Sequence, residues 1–185
     1  MTVKILGFVG SLRKNSYNKA LMRAAIELKP KDAVIEVFDL EGIPPFNQDL
    51  ERKQPEIVKE FKLAIRKADA LLIATPEYNY SVPGVLKNAI DWASRPYGDN
   101  PFEGKPVAIM SASIGSLGGA RAQYHLRQIL IALDTHPLNH PEVMMPFAEE
   151  NVDAEGNVTN EKTRRVIREM LKELVEWTRK LKANE

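Results

Sequence analysis

Short apolar runs alternate with longer amphipathic stretches along this chain, and few folds accommodate such a pattern. Val3 to Val9 reads as a buried strand, Ala33 to Phe38 as a second, Ala70 to Thr75 as a third that is apolar throughout, and Val107 to Ser111 as a fourth, with a weaker fifth near Glu142 to Met145. Between them, Asn18 to Leu28 places Ala20, Leu21, Ala24, Ala25 and Leu28 on one helical face. Pro55, at a first helical position, opens a helix that runs through Val58, Phe61 and Ile65 to Ala68. Val85 to Ala93 and Ala120 to Leu133 read as two more helices. Thr163 to Leu181 reads as a long last one, with Val166, Ile167, Met170, Leu171, Leu174, Val175 and Trp177 turned inward. Strands separated by whole helices pair in parallel, and a parallel sheet needs helices on both faces. The expected fold class is therefore α/β, a three-layer sandwich around a five-stranded parallel sheet in the order 2-1-3-4-5.

Composition narrows the functional classes. At 185 residues and 44% apolar content, the chain suits one compact domain, 1–185. A net charge of +1 gives no field directed at nucleic acid or an anionic membrane, so neither partner is expected. The absence of cysteine removes thiolate nucleophiles, disulfides and cysteine metal sites together. The first residues run straight into a short strand followed by charges, with no signal-type apolar region, so a cytoplasmic protein is expected.

In sheets of this kind, ligands bind beyond the carboxyl ends of the strands, where the strand order reverses. The loops after strands 1, 3 and 4 should meet there, and they hold the unusual residues. After the first strand comes Gly10-Ser11-Leu12-Arg13-Lys14-Asn15-Ser16-Tyr17-Asn18. A strand that turns through Gly-Ser into a helix leaves free N–H groups where the helix dipole favours an anion. Ser11, Asn15, Ser16 and Asn18 add side-chain donors, and Arg13 adds a bidentate fork. The loop lacks the Gly-Lys-[Ser/Thr] of a triphosphate loop and the Gly-x-Gly-x-x-Gly of a dinucleotide loop, so it suits one phosphate. Ser16 and Asn18 equally serve as helix caps with or without a ligand. After the third strand, Thr75 to Gly84 combines Pro76 and Pro83 with Tyr78, Asn79 and Tyr80, a flat, polar-edged surface suited to a planar heterocycle. The alternatives are tyrosines that plug the end of the sheet and a Glu77 that is a surface carboxylate. After the fourth strand, Ser111 to Arg121 is rich in small residues that let backbone approach a ligand.

These three segments resemble the NADPH-dependent FMN reductase family of the flavodoxin-like fold, and within it the chromate, quinone and azo-compound reductases. The residues that carry the resemblance are Gly10 to Asn18, Pro76 to Gly84 with Leu86 to Trp92, and Gly118 to Gln128. It implies that Ser11, Leu12, Arg13, Asn15, Ser16, Tyr17 and Asn18 hold the FMN phosphate. It implies likewise that Pro76, Glu77, Tyr78 and Asn79 border the ring, mainly by backbone, and that Ala112 and Ser113 make a third contact. NADPH or NADH would be the co-substrate and a small molecule the electron acceptor. The implied mechanism is ping-pong: hydride passes to the flavin and electrons then pass to a quinone, chromate, azo compound or similar acceptor. No side-chain general base is required, which agrees with the lack of a catalytic His or Cys constellation. The other functional class compatible with the residues is a flavodoxin-like electron carrier that docks to a protein, although a near-neutral chain lacks the acidic face such carriers present.

Two further expectations concern the rest of the chain. His136 and His140 flank Pro137, which breaks the helical face a paired metal site needs, so no metal is expected. The resemblance implies a homodimer or homotetramer. Trp92, Tyr97 and Phe102, around a proline-containing loop, with Arg121, Gln123, Tyr124 and Arg127, form the expected contact face.

Overall fold

The structure is a computed structural model and describes residues 2–183. Strands β1 (Val3–Val9), β2 (Ala33–Phe38), β3 (Ala70–Thr75) and β4 (Pro106–Ala112) pair in parallel in the order β2-β1-β3-β4. Two short pieces, β5 (His136–Pro137) and β6 (Val143–Met145), both pair with β4 and together fill the fifth position. The expected 2-1-3-4-5 order is present, but its last strand is broken. Pro106 pairs with His136 and Met110 with Val143, so the edge spends more residues than β4 over the same rise and loops out between. Pro137 and Pro141 fall in and beside this segment, and an edge strand is where a missing N–H does least harm.

Helices α1 (Tyr17–Leu28) and α5 (Glu161–Lys182) cover one face of the sheet; α2 (Glu56–Lys67), α3 (Gly84–Ala93) and α4 (Ala120–Ala132) cover the other. The strands sort their side chains by alternation. Leu72 and Ala74 join Leu21, Ala25, Ile167 and Leu171 on the first face, while Leu71 and Ile73 join Phe61, Ile65, Ile90 and Leu126 on the second. Phe61 is fully buried and meets Phe8 edge-on at 5.3 Å, a packing worth roughly 2–3 kcal/mol in apolar burial. Local chemistry sets the helix ends. Ser16 caps α1 and Asn160 caps α5 by accepting backbone N–H bonds from Asn18 and Thr163. Glu56 in the first turn of α2, with Arg66 and Lys67 in its last, suits the helix dipole.

The expected exposed aromatic face is mostly internal. Trp92 and Phe102 are fully buried, and Gln123 is too. The Trp92 indole donates to Pro44 O at 2.8 Å and meets Phe46 edge-on, which fastens the 39–54 loop to α3. Gln54 donates to Arg95 O at 2.7 Å and Lys62 to Asp99 at 2.6 Å, which folds the 95–105 loop back on its own subunit. These apolar rings gain more from the core than a loop of this length could offer them in solvent. Tyr97 alone of the three stays outside, 87% exposed, with the Arg95 guanidinium 3.8 Å above its ring.

Candidate nucleotide site at the switch point of the sheet

The three loops do converge. Val9 stands beside Ala74 and Thr75 beside Ser111, so the chain leaves β1, β3 and β4 along one edge of the sheet. Gly10 donates to Ala74 O at 2.8 Å, and a Cβ there would lie 3.1 Å from Leu86, so any larger residue would press on α3 where the first loop turns.

Beyond Gly10, the backbone N–H groups of residues 11–17 meet no acceptor among the described residues. A run of unanswered donors ending at a helix start has the geometry that suits an anion. Arg13 and Lys14 are exposed above it, and neither has a carboxylate partner among the described residues; the nearest aromatic to the Arg13 guanidinium is Tyr17, 6.0 Å away. Ser11 and Ser16 are nearly buried, and their hydroxyls still have protons to donate into the loop. Leu12 and Asn15 are exposed on its rim.

Asn18 behaves differently from its neighbours. Its amide donates to Ala112 O at 3.0 Å and accepts from Ala112 N at 2.9 Å, and its own N–H goes to Ser16. It therefore joins the start of α1 to the end of β4 rather than adding a free donor, because at 2% exposure its polar atoms must be satisfied inside the protein. Ala112, the other half of this clamp, has its N–H engaged as well. In the fourth-strand loop Ser111 is also turned inward, donating to Gly118 O and accepting from Gln123. Ser113 keeps a hydroxyl proton to give, its oxygen accepting from Gly115 N at 3.2 Å.

The loop after β3 is a built hairpin. Tyr78 and Ser81 exchange both backbone bonds, at 3.1 and 3.0 Å, across Asn79 (φ 50°) and Tyr80 (φ 66°). Such a two-residue turn needs left-handed backbone at both positions. Asn accepts that conformation readily; a tyrosine there costs roughly 1–3 kcal/mol. Tyr78 and Tyr80 are 47% and 66% exposed, so they do not plug the sheet. Glu77 is no free surface carboxylate either. It accepts from Arg121 N at 3.0 Å, Ala122 N at 3.3 Å and Arg121 Nε at 2.6 Å, while the Arg121 guanidinium lies 3.6 Å over the Tyr80 ring. Ser81 Oγ and His125 Nδ1 lie 3.0 Å apart. These partners of Glu77 and Ser81 are far away in sequence, and only the adjacency of β3 and β4 brings them together.

A groove of about 450 Å³ flanks the first loop, lined by Arg13, Lys14 and Arg23 on one side and by Asp153, Glu155 and Gly156 on the other. Arg23 donates to Gly156 O, and the N–H of Asn157, with its side-chain amide, holds the Asp153 carboxyl below the usual carboxylate range.

A parallel sheet with a phosphate-ready loop at its switch point, beside a flat polar hairpin, defines a flavodoxin-like nucleotide-binding protein. The chain belongs to the NADPH-dependent FMN reductase family, whose description matches residues 3–150. It is 54% identical to an NAD(P)H-dependent FMN reductase of Pseudomonas aeruginosa, over 97% of each chain. It is 45% identical to a 2-hydroxy-1,4-benzoquinone reductase of Burkholderia sp, over 97% of this chain and 98% of that one. Among solved structures, the flavoenzyme NAD(P)H:(acceptor) oxidoreductase FerB of Paracoccus denitrificans superposes with a TM-score of 0.89 at 38% identity, covering 97% of this chain and 98% of that one. The resemblance drawn from the three motifs thus holds, as does the fold it implied. No helix of the described residues is long and apolar enough to cross a membrane.

Proposed function

We propose that residues 1–185 form one FMN-binding domain and that the protein is an NAD(P)H-dependent oxidoreductase whose acceptor is a small molecule, quinones first. The observation that carries this is the row of unanswered N–H groups at residues 11–17 under an unpaired Arg13, on the same sheet edge as the Pro76–Asn79 segment. These groups fit a cofactor that ends in one phosphate and carries a planar ring. Backbone donors of 11–17, the hydroxyls of Ser11 and Ser16, and the Arg13 fork would hold the phosphate, with Leu12, Asn15 and Tyr17 shaping the loop around it. The backbone of Pro76, Glu77, Tyr78 and Asn79 would border the ring, with the Ser113 hydroxyl as a further donor, while Asn18 and Ala112 keep the first and fourth loops in register. When bound, FMN supplies two-electron relay chemistry between the nicotinamide and the acceptor.

The chain's own task is to bind and orient. Exposed Tyr78 and Tyr80 leave the mouth of the site open and offer flat faces for a nicotinamide or an aromatic acceptor. One open mouth serving both substrates in turn predicts ping-pong kinetics. Quinones fit this mouth as flat, neutral molecules; chromate and azo compounds are tested as further acceptors. The setting proposed is the cytoplasm and the assembly a homodimer or homotetramer, with Tyr124 and Ile131 of α4, 52% and 69% exposed, as the apolar contribution to its contact face.

Purified protein should be yellow, its bound flavin should bleach within the mixing time of a stopped-flow experiment on addition of NADPH, and a quinone should restore the colour. Yellow protein that NADPH does not bleach would overturn the reductase assignment in favour of an electron carrier. Protein that neither carries nor binds FMN would overturn both.

A further inference from the structure

We infer that Glu77 and Arg121 are positioning residues which hold the Tyr78–Ser81 hairpin in the conformation that binds the flavin; the inference rests on the FMN assignment above. The hairpin has a problem of its own making. Tyr80 sits in left-handed backbone at φ 66°, where a β-carbon is crowded, and the ring is 66% exposed, so burial does not hold it there. What does hold it comes from α4. The Arg121 guanidinium lies over the Tyr80 ring, 3.6 Å from its centroid, and Arg121 is itself held by Glu77 through a 2.6 Å bond from its Nε. His125, one turn further along α4, reaches Ser81 at the other foot of the hairpin.

The same carboxylate also solves a problem at the helix. α4 begins after Gly119, which has no side chain to cap the first turn, and Glu77 accepts the Arg121 and Ala122 N–H groups in its place. Glu77 is only 7% exposed as a side chain, so its charge is compensated at close range rather than by water. One buried carboxylate thus fixes the helix start, orients the guanidinium and, through it, locks a strained turn. The ring-bordering Pro76–Asn79 backbone cannot shift unless the start of α4 shifts with it. The backbone of Glu77 is thereby left to border the ring, as the resemblance implies, while its side chain is turned to the start of α4.

The role is tested by removing the flavin from the wild type and from four variants and titrating each with FMN, following quenching of flavin fluorescence and the visible circular dichroism of the bound cofactor. Glu77→Gln keeps the shape but not the charge and should bind FMN about tenfold more weakly or worse. Arg121→Met should do the same, and the double variant should bind no worse than the weaker single, since both residues act through one link. Tyr80→Gly separates positioning from bulk stability. It relieves the left-handed backbone, so the flavin-free protein should melt no lower than the wild type, yet the hairpin loses its stacking partner and FMN should bind severalfold more weakly with an altered dichroism band. Equal FMN affinity and dichroism in the wild type and the Tyr80→Gly and Arg121→Met variants would overturn the inference while leaving the FMN assignment intact. A wild type that binds no FMN would overturn that assignment instead.

Discussion

Two loops leave neighbouring strands at the same edge of the sheet and are built on opposite plans. The segment after β1 makes few bonds of its own: from residue 11 to residue 17 its N–H groups are unanswered, and Arg13 and Lys14 stand without carboxylates. The segment after β3 is bound at every step, to itself across Tyr78 and Ser81 and to α4 through Glu77, Tyr80 and Ser81. An anion site needs donors left over, because any donor spent inside the protein is lost to the ligand. A surface that borders a flat ring needs its backbone kept still, because a misplaced edge loses hydrogen bonds and stacking together. The contrast shows how one sheet edge can offer both affinity and shape.

The largest effect should come from Asn18, which ties the start of the first helix to the end of β4. Asn18→Ala leaves the buried Ala112 N–H and C=O without partners and should lower stability by about 2–4 kcal/mol, read from urea unfolding of the flavin-free protein. A loss below about 0.5 kcal/mol would mean that the first helix and the end of β4 are held together by something else. Arg13→Ala should leave stability unchanged, since the side chain is exposed and unpaired, but should weaken FMN binding by about 2 kcal/mol, roughly thirtyfold, and make what remains less sensitive to salt. If Arg13→Ala lowers the melting temperature while FMN affinity is kept, the first loop is structural after all.

The smallest effect is a pH dependence at the flank of the first loop. The Asp153 carboxyl is held below its ordinary range by the backbone N–H and then the side-chain amide of Asn157. A depressed folded-state value means that the stabilisation is fully present above the ordinary carboxylate range and is lost as pH falls through it and below. Wild type and Asp153→Asn should therefore differ in melting temperature at pH 7 and converge toward pH 3. A difference that stays constant over that range would remove the carboxylate as its cause.

Much of the fold was legible in the residue pattern, because strand and helix follow from local periodicity. Val3–Val9, Ala33–Phe38 and Ala70–Thr75 form with the expected bounds. The first loop was legible for the same reason: helix capping, free N–H groups and an exposed Arg are all consequences of residues within one turn of each other. The broken fifth strand was visible only in its second half, since His136–Pro137 carries no strand signal and pairs because β4 offers an edge. Trp92 and Phe102 look like surface anchors in a loop rich in proline, yet Pro44 and Lys62, distant in sequence, provide the hydrogen bond and the tether that draw them inside.

The chain's own order of residues thus decided the α/β alternation and the presence of a donor-rich loop before the first helix, because each of these is settled by contacts along the chain. Tertiary structure alone decided where Asn18 and Glu77 point. Both are polar groups buried where strands end, and a buried polar group takes whichever partner the sheet order brings beside it: Ala112 for one, the first turn of α4 for the other.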